Sequence, residues 1–216
     1  METPHPPATS EFGFVTRGGS PHRYPPAGSL EVSKITVGDY DNNVYALRSG
    51  GEALIVDGAA EPDRILSLVE GARVVGIVQT HGHFDHVQAL AHVAGALACP
   101  VYAHPDDAMP VPAERLAHGD RLQVGDIEVR VIHTPGHTPG STCFAAAGFL
   151  FSGDTLFPGG PGNTGGEASR FEQVMTQLET HLFVLPDMTR VCPGHGLDTT
   201  IGREREHVPV WRERGW

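Results

Sequence analysis

Four side chains able to offer a lone pair to a cation fall within six residues: His81, His83, Asp85 and His86, in the run Thr80-His81-Gly82-His83-Phe84-Asp85-His86. An apolar strand ending at Gln79 leads into the run and helical spacing begins near Val87, so the four occupy a strand-to-helix turn. His81 and His83 can converge from one side of an extended loop, while Asp85 and His86 project elsewhere from the incoming helical turn and could serve a second ion. Each neutral imidazole supplies one nitrogen at about 2.0–2.1 Å and the carboxylate a harder oxygen, a mixture that suits Zn²⁺ or Fe²⁺ better than Mg²⁺ or Ca²⁺. Singly, these residues have ordinary roles. A lone Asp before a helix is commonly its N-cap, and a lone His at a loop tip is usually just solvated. Joined as H-x-H-x-D-H, they read as ligands.

Three more donors stand on Gly-bordered turns after strands in the second half: His137 in His133-Thr134-Pro135-Gly136-His137-Thr138, Asp154 in Phe151-Ser152-Gly153-Asp154-Thr155, and His195 in Cys192-Pro193-Gly194-His195-Gly196. Each alone is more often a turn residue. Together with the first cluster they make five His and two Asp.

The elements that must position them alternate. Val32 to Val37, Val44 to Arg48 and Ala53 to Val56 are β-type runs separated by Gly38-Asp39, Ser49-Gly50-Gly51 and Asp57-Gly58 turn signals. Pro62 opens a helix, Val74 to Gln79 is a buried strand, and Val87 to Leu97 has helical spacing. The second half repeats the scheme, with strands at Ile127 to Ile132, Thr142 to Ala146 and Phe149 to Ser152, a helix from Phe171 to Leu185, and a last strand from Arg190 to Cys192. Two face-to-face sheets with helices outside, an αβ/βα sandwich of the α/β class, would bury the apolar runs of both halves. Residues 1–29, rich in Pro, Gly, Ser and Thr, read as an N-terminal arm, mobile or draped over a single domain of residues 30–216.

Composition narrows the function classes. With 15 basic against 26 acidic residues in 216, the formal charge is -11, and no Lys/Arg cluster tracks a phosphate backbone or an anionic membrane. Nucleic acid and membrane are therefore not expected partners, and no apolar run approaches the ~20 residues of a membrane span. A small-molecule substrate fits better, and oligomeric state is left open. Three cysteines, Cys99, Cys143 and Cys192, make no disulfide framework. Together with the lack of a visible secretory signal, this implies a cytoplasmic setting. Thirteen histidines are the outlier, and they point to metal or proton chemistry.

The ordered series THGHFDH, TPGHT, SGDTLF and PGHG, spanning about residues 30 to 205, resembles the metallo-β-lactamase superfamily. Within it the series is most similar to the glyoxalase II-like (hydroxyacylglutathione hydrolase-like) branch of thioester hydrolases. The resemblance implies a four-layer αβ/βα sandwich with two divalent metal ions, zinc first and iron as the other option. His81, His83 and His137 would hold one ion, Asp85, His86 and His195 the other, with Asp154 bridging. A shared anion offsets the repulsion of two dications about 3.5–4 Å apart. Asp154 in place of a cysteine separates the chain from β-lactamases that use a thiolate ligand. Two departures from glyoxalase II stand out. About twenty residues follow His195, where that family carries a helical glutathione-gripping domain, and Gly159-Gly160-Pro161-Gly162-Asn163-Thr164 replaces its Gly-Cys-Gly-Arg stretch. Pro193-Gly194-His195 favours the hydrolase side over the Pro-Ala-His turn of the mono-iron persulfide dioxygenases.

The expected reaction is hydrolysis of an acyl-thiol or similar small ester by a metal-bridging hydroxide, with Asp85 a ligand first and an orienting group second. Lactone or β-lactam hydrolysis at the same site, a mono-iron persulfide dioxygenase and a non-catalytic metal-binding or redox module are the alternatives. Other residues carry weaker expectations. His133 reads as a support to the ligands or a strand-end histidine, and Cys192 as a small buried hydrophobe. Tyr40, Asp41, Asn42 and Asn43 form a polar loop that could line the cleft, Arg170 and Asn163 could meet a substrate carboxylate, and Gly18 to Gly28 could border the site.

Overall fold

In the computed structural model, which describes residues 12–215, the apolar runs form two sheets. The first is ordered β1 (His22–Arg23), β2 (Glu31–Val37), β3 (Asn42–Ser49), β4 (Glu52–Val56), β5 (Arg73–Val78), β6 (Val101–Ala103) and β7 (Glu114–Arg115). Its strands pair antiparallel from β1 to β4 and parallel from β4 to β7. The second contains β8 (Arg121–Val124), β9 (Ile127–His133), β10 (Thr142–Ala146) and β11 (Phe149–Gly153). After a ribbon of β12 (Leu156–Phe157) and β13 (Gly160–Pro161) it adds β14 (Arg190–Pro193) and β15 (Thr199–Thr200), in the order β15-β14-β11-β10-β9-β8. Helices α1 (Pro62–Leu68), α2 (Phe84–Val87) and α3 (Leu90–Leu97) follow strands of the first sheet; α4 (Ala168–Gln177), α5 (Ile201–Arg205) and α6 (Val208–Arg214) belong to the second.

Side-chain alternation along the strands builds three apolar layers. Tyr45, Leu47, Leu54 and Val78 of the first sheet meet Val129, Val131, Phe144 and Phe151 of the second in the middle. Ile35, Val37 and Ile55 turn outward under Ile65 of α1 and Leu90 and Val93 of α3. Leu150 and Val191 turn the other way, under Phe171 and Met175 of α4 and Trp211 of α6. This is the four-layer αβ/βα sandwich. On β2 the same alternation aims Lys34 inward with Val32, and Lys34 is fully buried.

Three local outcomes differ from the periodicity. The helix expected over Val87 to Leu97 is two helices, because the Ala89 amide donates to the Gly58 and Ala59 carbonyls, each at 2.9 Å, instead of continuing the helical ladder from α2. The helix expected from Phe171 starts earlier, at Ala168, and its last turn (Leu178–Leu182) widens, with the Phe183 amide reaching the Leu178 carbonyl at 2.7 Å. The Pro-rich segment set apart by composition carries β1, paired with β2 at Lys34 and Ser33, and a buried Tyr24; residues 1–11 of that arm lie outside the described residues. Among the described residues no helix is long and apolar enough to cross a membrane.

Candidate metal centre

Strands β4, β5, β9, β11 and β14 each run into a loop that carries a donor, and the loops meet at one end of the sandwich. β4 ends on Asp57, which adopts a left-handed conformation (φ 66°). Its Oδ1 accepts the Thr80 amide at 2.7 Å, and its Oδ2 accepts the Thr80 hydroxyl at 2.8 Å and His86 Nδ1 at 2.9 Å. That one carboxylate fixes the start of the His81–His86 turn.

The imidazoles are oriented by bonds on their far nitrogens, which settles the tautomers. Thr80 Oγ1 already donates to Asp57, so at 3.1 Å it accepts from His81 Nδ1. His137 Nδ1 donates to the Asn163 carbonyl at 2.7 Å, and His195 Nδ1 to the Tyr40 carbonyl at 2.7 Å. His81, His86, His137 and His195 therefore all present Nε2, and His83 presents Nδ1.

His83 Nδ1 lies 3.0 Å from His81 Nε2 and 2.9 Å from His137 Nε2. A single proton cannot serve three converging lone pairs. Bonds of about 2.0–2.1 Å to a tetrahedral cation put neighbouring ligands roughly 3.3 Å apart, so this triad fits such an ion with one position open. The second group is Asp85, His86 and His195, with His86 Nε2 and His195 Nε2 3.2 Å apart and Asp85 Oδ2 3.6 and 3.4 Å from them. Asp154 stands between the groups: Oδ1 is 3.4 Å from His86, and Oδ2 is 3.6 Å from His137 and 3.5 Å from His195. Asp154 Oδ1 is buried with no hydrogen-bond partner, a state that a cation would satisfy. Gly194 admits this approach, since a methyl there would overlap Asp154 Oδ1 and lie 2.7 Å from His86 Cε1.

The two groups differ in charge. Burial, reinforced by His86, holds His81 well below the usual imidazole pKa, and burial lowers His137 against the pull of Asp154. Burial opposes the charged form of His86 as well, but Asp154 and Asp57 overcome it and raise that ring to about 10. His195 is raised by Asp154 despite burial. Burial works to raise Asp154, but the adjacent His195 and His86 rings prevail and hold it well below the carboxylate range.

All seven sequence-predicted donors meet here, and the other candidates sort by contact. Asn42 Nδ2 donates to Asp85 Oδ2 at 2.8 Å, and the Asn43 amide to the Gly194 carbonyl at 2.7 Å, so the Tyr40–Asn43 loop is part of the framework. Arg170 clasps the carbonyls of Gly136 and His137, and Asn163 supplies the carbonyl behind His137. Both position the His137 turn. His133 donates to the Pro139 carbonyl at 2.9 Å and stacks on His104 at 3.7 Å. Cys192 lies in the inter-sheet core with its thiol pushed up by burial. Sequence reasoning missed Asp57, taken as a turn signal, and Asp107. The latter accepts the Gly82 amide (2.8 Å), the Thr138 hydroxyl (2.7 Å) and the Gly140 amide (2.8 Å), tying the His81–His83 loop to the His137 loop.

The metallo-β-lactamase superfamily model matches residues 37–195, and the chain belongs to that superfamily. It is 32% identical over 204 residues to the probable metallo-hydrolase YqgX of Bacillus subtilis (strain 168), covering 83% of this chain and 97% of that protein. It is 36% identical over 159 residues to the hydroxyacylglutathione hydrolase of Xanthomonas euvesicatoria pv. vesicatoria (strain 85-10), covering 72% of this chain and 61% of that protein. Among solved structures, TTHA1623 in a di-iron-bound form superposes with a TM-score of 0.71 at 33% identity, over 82% of this chain and 98% of that one.

Proposed function

We propose that the chain is a dinuclear metallo-hydrolase acting on a small acyl-thiol ester. His81, His83 and His137 hold one ion, Asp85, His86 and His195 the other, and Asp154 is shared. The observation that carries this reading is the position of Asp154, buried within 3.4–3.6 Å of imidazoles from both groups. Zinc or iron suits a set of five imidazoles and two carboxylates, and the di-iron-bound form of TTHA1623 supports a count of two. The likeness to a hydroxyacylglutathione hydrolase supports a thioester as substrate. When bound, such ions polarise a carbonyl and lower the pKa of water towards neutrality.

The chain's own residues orient and shelter that chemistry. Asn42 holds Asp85 Oδ2, the oxygen that also faces His86 and His195, and so fixes the direction of that carboxylate. Phe84, between His83 and Asp85, and Tyr40, whose carbonyl accepts His195 Nδ1, are 73% and 64% exposed. A cavity of about 430 Å³ lined by Phe14, Val15, Arg17 and Leu197 opens beside Gly196, one residue past His195. Its one cation, Arg17, is engaged by Asp39 and Asp41, so it suits an uncharged acyl or thiol group better than a carboxylate. Buried Cys143 and Cys192, both unpaired, suit a reducing, cytoplasmic compartment.

Elemental analysis of purified protein should give close to two zinc or iron ions per chain, and a panel of thioesters, lactones and β-lactams should show the thioesters cleaved with the highest kcat/KM. One iron per chain with persulfide-dependent oxygen uptake would replace this reading with the dioxygenase.

A further inference from the structure

A lysine sits in the sandwich interior at a position where strand alternation calls for an apolar side chain. Lys34 and Asp198 are both fully buried, with Lys34 Nζ 3.0 Å from Asp198 Oδ1. Lys34 Nζ also donates to the Gly196 carbonyl at 2.7 Å. Asp198 Oδ2 accepts the Tyr24 hydroxyl at 2.8 Å and lies 3.5 Å from Arg190. Burying two charges is costly, and an apolar pair of similar volume is often as stable. The pair's contacts point to a use beyond packing: Gly196 and Asp198 lie one and three residues past His195.

Up to His195 the loop that carries it is held by neutral bonds. The Pro193 carbonyl accepts from Asn43 Nδ2 (3.0 Å) and the Tyr45 hydroxyl (2.8 Å), and the Gly194 amide donates to the Gly153 carbonyl (2.9 Å). These fix the loop before His195. After it, the Gly196 carbonyl takes a second bond from Asn43 Nδ2 at 3.0 Å, and the charge-assisted bonds come from Lys34. Charge-assisted bonds are shorter and roughly twice as strong as neutral ones. The His195 ring is itself a quarter exposed, so the core does not pack it in place. Its direction depends on the Tyr40 carbonyl that accepts Nδ1 and on the backbone either side.

We propose that the buried Lys34–Asp198 pair is a positioning device for His195 that sets the affinity of the second metal position without touching the metal. This rests on the reading that Asp85, His86 and His195 hold an ion. The first position has its own off-site anchor in Asp107, which touches neither Lys34 nor the His195 loop. Loss of the Lys34–Asp198 pair therefore weakens one step of metal binding only.

The test is a competitive Zn²⁺ titration against a chromophoric chelator, resolving two dissociation constants in the full chain, with His195→Ala identifying the step that belongs to the second position. The double variant Lys34→Met/Asp198→Asn removes both charges, so no lone buried ion is left. Its second-step Kd should rise about 10- to 100-fold, the usual effect of losing a group that orients a ligand, with the first-step Kd unchanged. Lys34→Arg keeps the charge but cannot place one nitrogen on both acceptors, and should show a smaller rise in the same step. If the double variant fails to fold, judged by near-ultraviolet circular dichroism, Lys34→Arg alone carries the test. Two unchanged steps, or an equal loss at both, in a folded variant would overturn the proposal. A wild-type chain that binds a single ion would instead overturn the underlying assignment of the second position.

Discussion

The two halves of the centre are built from similar donors yet prepared differently. His81 and His137 bond Thr80 and the Asn163 carbonyl, Asp107 ties together the loops that carry His81, His83 and His137, and burial keeps His81 and His137 neutral. Asp85, His86 and His195 include a carboxylate and two imidazoles raised above their usual pKa, close to Asp154 and, for His86, Asp57. The first half is ready for a cation as folded. In the second, His86 holds a proton that a cation must displace, and the His195 loop is secured by the buried Lys34–Asp198 pair. One set of donors therefore divides into a group that burial keeps neutral and a group that the neighbouring carboxylates draw towards protonation.

The largest expected effect erases the distinction. Asp154→Ala removes the anion near both groups and should weaken both binding steps. It should also lower thioester kcat/KM by about 10²–10³-fold, the scale of several kcal/mol of charge stabilisation. Metal content equal to wild type would show that Asp154 is not shared. Asp107→Ala should act on one half only. By freeing the His81–His83 loop from the His137 loop it should raise the first-step Kd about 10- to 100-fold, leaving the second step near its wild-type value; a titration in which the second step moved more would reverse the assignment of anchors.

The pH dependence of the two steps sharpens the contrast. In the metal-free chain at pH 7 His86, with its pKa near 10, carries a proton that ligation must release, whereas His81 and His137 are already neutral. Second-step affinity should therefore rise with pH, by about tenfold per unit for each proton released below the folded pKa, while the first step stays nearly flat from pH 7 to 8. Calorimetry in buffers of different ionisation enthalpy measures the released protons, and equal release in both steps would abolish the asymmetry.

The smallest effect concerns the core behind both halves. Cys143, raised to about 11 by burial, and Cys192, raised likewise, should resist alkylation at pH 8. Half-buried Cys99 should label first in the native chain, and all three in denaturant. Native labelling of Cys192 would show that the sheet under the His195 loop opens readily, against the clamped loop described above.

Legibility followed the range of the interactions. His81, His83, Asp85 and His86 were readable because their spacing is local, and β2, β3, β10 and β11 because alternation and bounding glycines are local too. β6, β7 and β8 were not foreseen: they are two to four residues long, too short for a period to register. Asp57 looked like a turn residue because nothing in Val56-Asp57-Gly58 reveals that its partners are Thr80 and His86. Tyr40 to Asn43 read as a loop that could line a cleft. It contributes the Asn42 and Asn43 side-chain amides to Asp85, Pro193 and Gly196, and also a backbone carbonyl to His195 and an amide to Gly194, main-chain groups that carry no residue signature.

By itself the sequence determined the donor types, the turns that present them and the alternation that makes a two-sheet sandwich, since these depend on side-chain chemistry and on contacts a few residues apart. Tertiary structure decided which donors converge, where the helix after His86 breaks, and which distant groups anchor each loop. Asp107 with Gly140, Lys34 with Gly196 and Tyr24 with Asp198 lie 33, 162 and 174 residues apart. Pairings at that separation exist only once the sheets have closed, because it is the closed core that strips water from these groups and leaves them protein partners to bond.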